Sequence, residues 1–269
     1  MTYCVGLLVD RGLVFMSDTR TNAGIDNIST VLKLKTWEVP GERFICLLSA
    51  GNLATTQSTI SLLEERLVAP SEREPAILKQ PSMFQTARLV GETLREVIQC
   101  STGPQAQSPD PMFSGSFILG GQIKGSRPRL FNIYAEGNFV EAGDDNPFFQ
   151  IGEHKYGRPI IIRTYDRTMS LEDCAKLLLV SFDSTLKSNL SVGLPLDLQF
   201  YETDSLRAGF RHRFTKDDPY YRQISGGWSD ALKRAFDDLP AFDPSTAEGV
   251  PLSAKGIPRP VMLEDASVV

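Results

Sequence analysis

Thr2-Tyr3-Cys4-Val5-Gly6-Leu7-Leu8-Val9-Asp10-Arg11-Gly12-Leu13-Val14-Phe15-Met16-Ser17-Asp18 consists of two apolar runs on either side of a short polar turn. Asp10-Arg11-Gly12 has turn chemistry, and Val, Leu and Phe dominate the flanks, so the stretch predicts a β-hairpin whose first strand is mostly buried. Antiparallel pairing returns the chain to where it began. Thr2 is therefore expected at the start of one strand and Asp18 at the end of its partner, side by side in space.

That juxtaposition has chemical meaning. A threonine hydroxyl is a weak nucleophile until a base takes its proton, and an α-amine with a reference pKa of about 7.7–8.0 can be that base. If Met1 is removed, Thr2 carries both groups on one residue, and no histidine is needed. A lysine beside the hydroxyl would favour the alkoxide and disfavour a second positive charge on the amine, and an aspartate would keep that lysine charged and oriented. Asp18 suits the second role, and Lys33 or Lys35 the first. Each residue alone has an ordinary structural reading: Asp18 as a turn former, and the two lysines as solvated neighbours on one face of a strand. Together they form the signature of an N-terminal nucleophile hydrolase.

Composition narrows the alternatives. The 269 residues suit one large domain, or about 200 residues with an extension, either of which can bury a substantial core. A net charge of -5 and a pI near 5.2 give no electrostatic footprint for nucleic acid or anionic membrane. No stretch approaches the roughly 20 apolar residues of a membrane span, and the first residues do not resemble a secretion signal, so a cytosolic location is expected. Cys4, Cys46, Cys100 and Cys174 are scattered without a CxxC, and His154 and His212 are the only histidines. Buried free thiols are expected rather than disulfides or a metal site, and no cofactor is expected. A histidine-dependent triad has little to draw on, and no GxxxxGK[ST] loop is present for ATP hydrolysis by this chain.

Further along, Val31–Leu34 and Phe44–Leu48 read as a second hairpin around Pro40-Gly41, running into Ser49-Ala50-Gly51-Asn52. Helical spacing follows from Leu53 to Leu67 and from Met83 to Gln99. The backbone N–H at Gly51, between strand and helix, is a candidate oxyanion donor. After a Pro/Ser/Gln-rich loop, 101–111, come a hairpin of Ser116–Gly121 with Pro128–Tyr134 and a segment beginning at Phe148–Gly152. Ser170-Leu171-Glu172-Asp173 opens a third helix towards Lys187, and Leu196–Tyr201 is a late strand. This order predicts an α+β layered domain rather than alternating βαβ units.

Several blocks resemble the proteasome β-subunit superfamily. They are the leading threonine with Asp18-x-Arg20-x-x-x-Gly24, the lysine pair, Ala50-Gly51, Gly120-Gly121, Ile151-Gly152 and Ser191-Val192-Gly193, in the family's order over about residues 2–205. The Thr2–Gly6 start, the block Ser191-Val192-Gly193-x-Pro195-Leu196-Asp197 and a long tail resemble the Anbu group of bacterial proteasome-like peptidases. The resemblance implies a four-layer αββα sandwich with Thr2 at the mouth of the cleft between the sheets. It implies Thr2 as nucleophile, Asp18 as the carboxylate that orients the lysine, Gly51 as the oxyanion-hole glycine and Ser191 as the serine near the threonine amine. The family spacing falls on Leu34, so the lysine role goes to Lys33 or Lys35; Lys33 is favoured because an apolar strand residue, Leu34, follows it. Ser49 falls near the first substrate pocket.

Two positions depart from the family pattern. Glu153 stands where a serine usually follows the Ile-Gly pair, and Ser188 where an aspartate usually precedes the later serine. A carboxylate near the threonine amine would hold it protonated. The expected function is a peptide (amide) hydrolase acting through a Thr2 acyl-enzyme on peptide or protein substrates, with no nucleic acid or membrane partner. The resemblance implies a homo-oligomer built as an open spiral of dimers, and no feature identifies an ATPase partner. The competing expectations are a silent assembly subunit and an N-terminal nucleophile amidase for small amides. Residues 1–215 are expected to form the catalytic domain. Residues 216–269 are expected to form an extension, with a short helix from Gly226-Gly227-Trp228 to about Leu239 and then an extended arm.

Overall fold

The computed structural model describes residues 2–22, 28–68, 75–102 and 111–243. Met1, Gly24, most of the 101–111 loop and the arm beyond residue 243 lie outside them. In chain order the elements are β1 (Tyr3–Val9), β2 (Gly12–Asp18), β3 (Arg20–Asn22), β4 (Ile28–Thr30), β5 (Leu34–Val39) and β6 (Arg43–Gly51). Then follow α1 (Leu53–Val68), α2 (Met83–Thr102), β7 (Gly115–Ile123), β8 (Arg129–Ile133), β9 (Phe139–Glu141) and β10 (Phe148–Gly152). The remainder is α3 (Arg158–Thr164), α4 (Leu171–Ser188), β11 (Leu196–Glu202), β12 (Arg211–Phe214) and α5 (Pro219–Asp237). The chain divides into two compact units, 1–228 and 229–269.

Within the first unit, one antiparallel sheet runs β10-β1-β2-β11-β12 and the other β5-β6-β7-β8-β9, with β3-β4 a separate small ribbon. The expected hairpin forms with Cys4 opposite Ser17 and Val9 opposite Gly12. Period-two alternation then assigns each side chain to a layer. On β1 and β2, Tyr3, Val5, Leu7, Val14 and Met16 join Cys174, Leu178 and Phe182 of α4 in one core. On the other sheet, Ile45, Leu47, Phe117 and Phe131 join Leu63 of α1 and Ala87, Val90 and Leu94 of α2. The opposite faces, including Cys4, Leu13, Phe15, Phe44, Cys46, Ile118 and Tyr201, form a third core between the sheets. Three apolar layers separate four structural ones, which is the αββα sandwich.

Glycines on the inner faces allow the sheets to approach. A Cβ on Gly120 would fall about 2.5 Å from the Phe15 ring, and one on Gly6 about 2.9 Å from Ile118. Phe15 thus occupies the space that the missing Gly120 side chain leaves, and Ile118 the space at Gly6.

The structure extends some expectations and corrects others. Ser170 caps α4, its Oγ accepting from the Asp173 N–H at 3.0 Å. Cys4, Cys46 and Cys174 are buried free thiols, whereas Cys100 is exposed on α2. The late helix begins at Pro219, well before the glycine pair, and runs through Gly226 and Gly227. Asp218 caps it, accepting from the Tyr221 N–H at 2.9 Å, and Pro219 sits where a missing N–H costs nothing. The first unit therefore includes β12 and the first half of α5, reaching Trp228. In the second unit Leu232, Phe236, Leu239 and Phe242 are exposed. Among the described residues no helix is long and apolar enough to cross a membrane.

Gly120→Ala should force Phe15 off its position and destabilise the fold by about 1–3 kcal/mol, since overpacking a filled core costs that much. Denaturant unfolding measures it.

Candidate active site

β1 starts and β2 ends side by side at one end of the first sheet, between β10 and β11, so the local chain reversal alone brings Thr2 and Asp18 together. Asp18 is wholly buried. Its Oδ1 accepts from the Tyr3 N–H at 3.0 Å and from Lys33 Nζ at 2.7 Å, and its Oδ2 from the Gly193 N–H at 3.4 Å. Burial pushes the carboxyl up from its usual value, while the Lys33 ammonium and the two backbone N–H groups pull it back towards ionisation.

Lys33 and Lys35 have different surroundings, contrary to the expectation that they share one face of a strand. β5 begins only at Leu34, so the chain before it is free to turn Lys33 inward. Lys33 is 5% exposed. Its ammonium donates to Asp18 and, at 2.6 Å, to the Arg20 carbonyl. An ammonium has three donors, so one remains for the space in front of it. Lys35 instead forms a half-exposed ion pair with Glu64 of α1.

That space is a cleft of about 400 Å³ lined by Thr2, Thr21, Lys33, Ser49, Ala50, Gly51, Asn52, Leu53, Thr56 and Gly152. Three of the residues singled out in the sequence, Thr2, Lys33 and Gly51, thus face one cavity, with Asp18 behind Lys33. Gly51 ends β6 with φ +108°, and a Cβ there would lie about 2.5 Å from the Ser114 carbonyl oxygen. Only glycine takes this turn without strain. Asn52 then caps α1, its Oδ1 accepting from the Thr55 N–H at 3.1 Å. The N-terminal end of α1, positive in its dipole, borders the cleft.

Ser191 does not line the cleft. It lies in the turn after α4, where its N–H donates to Asn189 Oδ1 at 3.0 Å. Glu153 is buried, and its carboxylate is already engaged: Oε1 accepts from the N–H groups of His154 and Lys155 at 2.9 and 2.8 Å, and Oε2 from Asn189 Nδ2 at 2.9 Å. Desolvation opposes its ionisation, but those donors and the Lys155 charge outweigh it and hold the carboxyl below the usual carboxylate value. Ser188 is exposed and donates to the Ser184 carbonyl of its own helix at 2.9 Å.

Sequence reasoning missed Thr21, Asn189 and the Tyr3 hydroxyl. Thr21 enters the cleft because β3 continues almost directly from β2, but a three-residue strand has no periodic signal. The buried Tyr3 hydroxyl lies 2.7 Å from Ser181 Oγ and accepts from Gln150 Nε2 at 2.6 Å, tying β1 to α4 and β10. Only a buried tyrosine next to Thr2 hinted at such a need.

No protein-family model matches the chain, and comparison with curated proteins finds no match. Solved structures do match. A mutant of Anbu from Hyphomicrobium sp. strain MC1 is 51% identical with a TM-score of 0.83; the match covers 90% of this chain and 100% of that one. Anbu from Yersinia bercovieri, described as an ancestral β-subunit, is 47% identical with a TM-score of 0.84, over 90% of this chain and 99% of that one. The Anbu complex from Pseudomonas aeruginosa, described as a helical assembly, is 46% identical with a TM-score of 0.84, over 91% of this chain and 100% of that one. Identity near one half along essentially the whole of these relatives, on the same N-terminal nucleophile hydrolase fold, means that the chain belongs to the Anbu family of proteasome-like β-subunits.

Proposed function

We propose that the protein is a self-assembling threonine peptidase that hydrolyses peptide bonds through an acyl-enzyme on Thr2 once Met1 has been removed. The observation that carries this reading is a buried Lys33 that touches Asp18 on one side and, with Thr2 and Gly51, lines a single cleft on the other.

In the proposed reaction the Thr2 α-amine takes the hydroxyl proton as Oγ1 attacks the substrate carbonyl carbon. The Lys33 charge favours the developing threonine alkoxide and keeps the amine's proton affinity down. Negative charge moves to the carbonyl oxygen, where the Gly51 N–H and the positive end of α1 stabilise it. Collapse breaks the C–N bond, the ammonium of Thr2 returns its proton to the leaving amine, and the acyl group stays as an ester on Oγ1. Water, deprotonated by the same amine, then attacks the ester, releasing a carboxylate product and regenerating the hydroxyl. Asp18 keeps Lys33 charged and in place throughout, and Ser191 holds the turn beside the site through its N–H. Because the Glu153 carboxylate is engaged by three N–H donors, it gives less ground for a silent subunit than its identity in the sequence suggested.

Self-assembly is carried over from the helical complex of the Pseudomonas aeruginosa relative. With it we assign a cytoplasmic location and peptide or protein substrates.

Two outcomes are expected. With a peptide epoxyketone, intact mass spectrometry should give a chain lacking Met1 and carrying one adduct; Thr2→Ala should take none, and an equal adduct on that variant would sink the assignment. Lys33→Ala should abolish adduct formation and destabilise the fold by about 3–5 kcal/mol, because it strands a buried carboxylate. Lys35→Ala, at a half-exposed ion pair, should stay within about 0.5–1 kcal/mol of the parent and keep its reactivity.

A further inference from the structure

Glu153 and Asn189 lie on different elements, 36 residues apart, and both are buried. They complete a circuit of hydrogen bonds. The Glu153 N–H donates to the Thr2 carbonyl at 2.6 Å. Glu153 Oε2 accepts from Asn189 Nδ2 at 2.9 Å, and Asn189 Oδ1 accepts from the Ser191 N–H at 3.0 Å. Two residues on, the Gly193 N–H donates to Asp18 Oδ2, and Asp18 Oδ1 accepts from the N–H of Tyr3, which is bonded to Thr2. The circuit begins and ends at Thr2. Gly152 allows it to close: its φ is +80°, and a Cβ there would overlap the Thr2 carbonyl oxygen.

We propose that Glu153 and Asn189 are positioning residues for Thr2, an ionised carboxylate and a carboxamide that lock the nucleophile's backbone to the Asp18 side of the site. The inference rests on Thr2 being the nucleophile. The donor pattern fixes both identities. All three partners of the Glu153 carboxylate are N–H donors, so the ionised form, an acceptor on both oxygens, satisfies each of them. Asn189 must give an N–H to one neighbour and accept from the other, which an amide does and a carboxylate beside Glu153 would not. With three N–H donors on its oxygens, two of them from its own loop, the Glu153 charge is largely offset where it stands. The titratable groups around it are His154 and Lys155 on that loop and Tyr3 from β1.

The pattern permits a charge swap. In E153Q the new side-chain amide must turn its NH2 towards a donor, breaking the circuit. In E153Q/N189D the amide at position 153 donates to the carboxylate at position 189 and still accepts from its own loop, while that carboxylate still accepts from the Ser191 N–H. The measurement is the rate of Thr2 adduct formation with a peptide epoxyketone, followed by intact mass across pH 5–9, roughly the range over which a threonine amine titrates. E153Q should react about tenfold or more slowly, since displacing a reacting group by an ångström costs that much, and its pH midpoint should move. The double variant should recover to within about threefold of the parent, the non-additivity expected of coupled groups.

Stability gives a readout independent of reactivity. The folded Glu153 carboxyl lies below its unfolded value, so its stabilisation is complete above about pH 4.3 and is lost as pH falls through the lowered folded value. E153Q should therefore lose less stability than the parent as the pH is taken progressively below about 4.3. A parent-like rate and pH profile in E153Q, or a double variant no faster than the single one while both stay folded, would overturn the proposal. A parent protein that takes no adduct at Thr2 would overturn the function itself and the positioning role with it, a result separable from the others because it needs no variant.

Discussion

A carboxylate sealed from water and the ammonium that neutralises it hold this site together. An unpaired buried carboxylate is costly enough that it would protonate or open the fold. Asp18 avoids both through Lys33 and two backbone N–H groups, and those partners come from β1, from the turn before β11 and from the chain leading into β5. Asp18 belongs to the first sheet and Lys33 leads into the second. The ion pair therefore ties the two sheets together at the mouth of the cleft, where the core between them gives way to solvent.

Backbone shape defines the rest of the cleft. Gly51 and Gly152 both line it, both have positive φ, and both lie against a carbonyl that a side chain would strike. One turn leads the chain from β6 into α1, bringing a helix dipole to the cavity. The other brings the Glu153 N–H onto the Thr2 carbonyl. The site is thus a place where strand ends and one helix start converge, lined by Thr2, Lys33, small residues such as Thr21 and Ser49, and the apolar Leu53.

Much of this was legible because the main signals are local. The first hairpin carries its own turn, and Thr2 and Asp18 fall at its two ends, so their meeting follows from antiparallel pairing alone. The long helices have helical spacing, and α4 has a sequence-encoded cap. The short elements β3, β4, β9 and α3 are too brief for any period to emerge. α5 was misplaced because a glycine pair reads as a break, although Asp218-Pro219 was an available start signal. The choice between Lys33 and Lys35 depended on where β5 begins, and that follows from pairing of Leu34 with Leu48, a tertiary fact. Asn189 was invisible for the same reason, since its meaning depends on a glutamate from another element.

In the proposed reaction, the charges around Thr2 reconcile two buried carboxylates with a neutral amine base. Asp18 is committed to Lys33 and two backbone N–H groups, and Glu153 to its own loop and to Asn189, so each carboxylate already accepts three hydrogen bonds. Among the described residues, the ionic group that lines the cleft with Thr2 is then the Lys33 ammonium. A cation beside an amine lowers its proton affinity, and it also stabilises the alkoxide that the amine's action creates. The same charge thus keeps the amine neutral before attack and favours the hydroxyl's loss of its proton. A carboxylate at position 153 is compatible with this chemistry only because its loop supplies the N–H donors that absorb it.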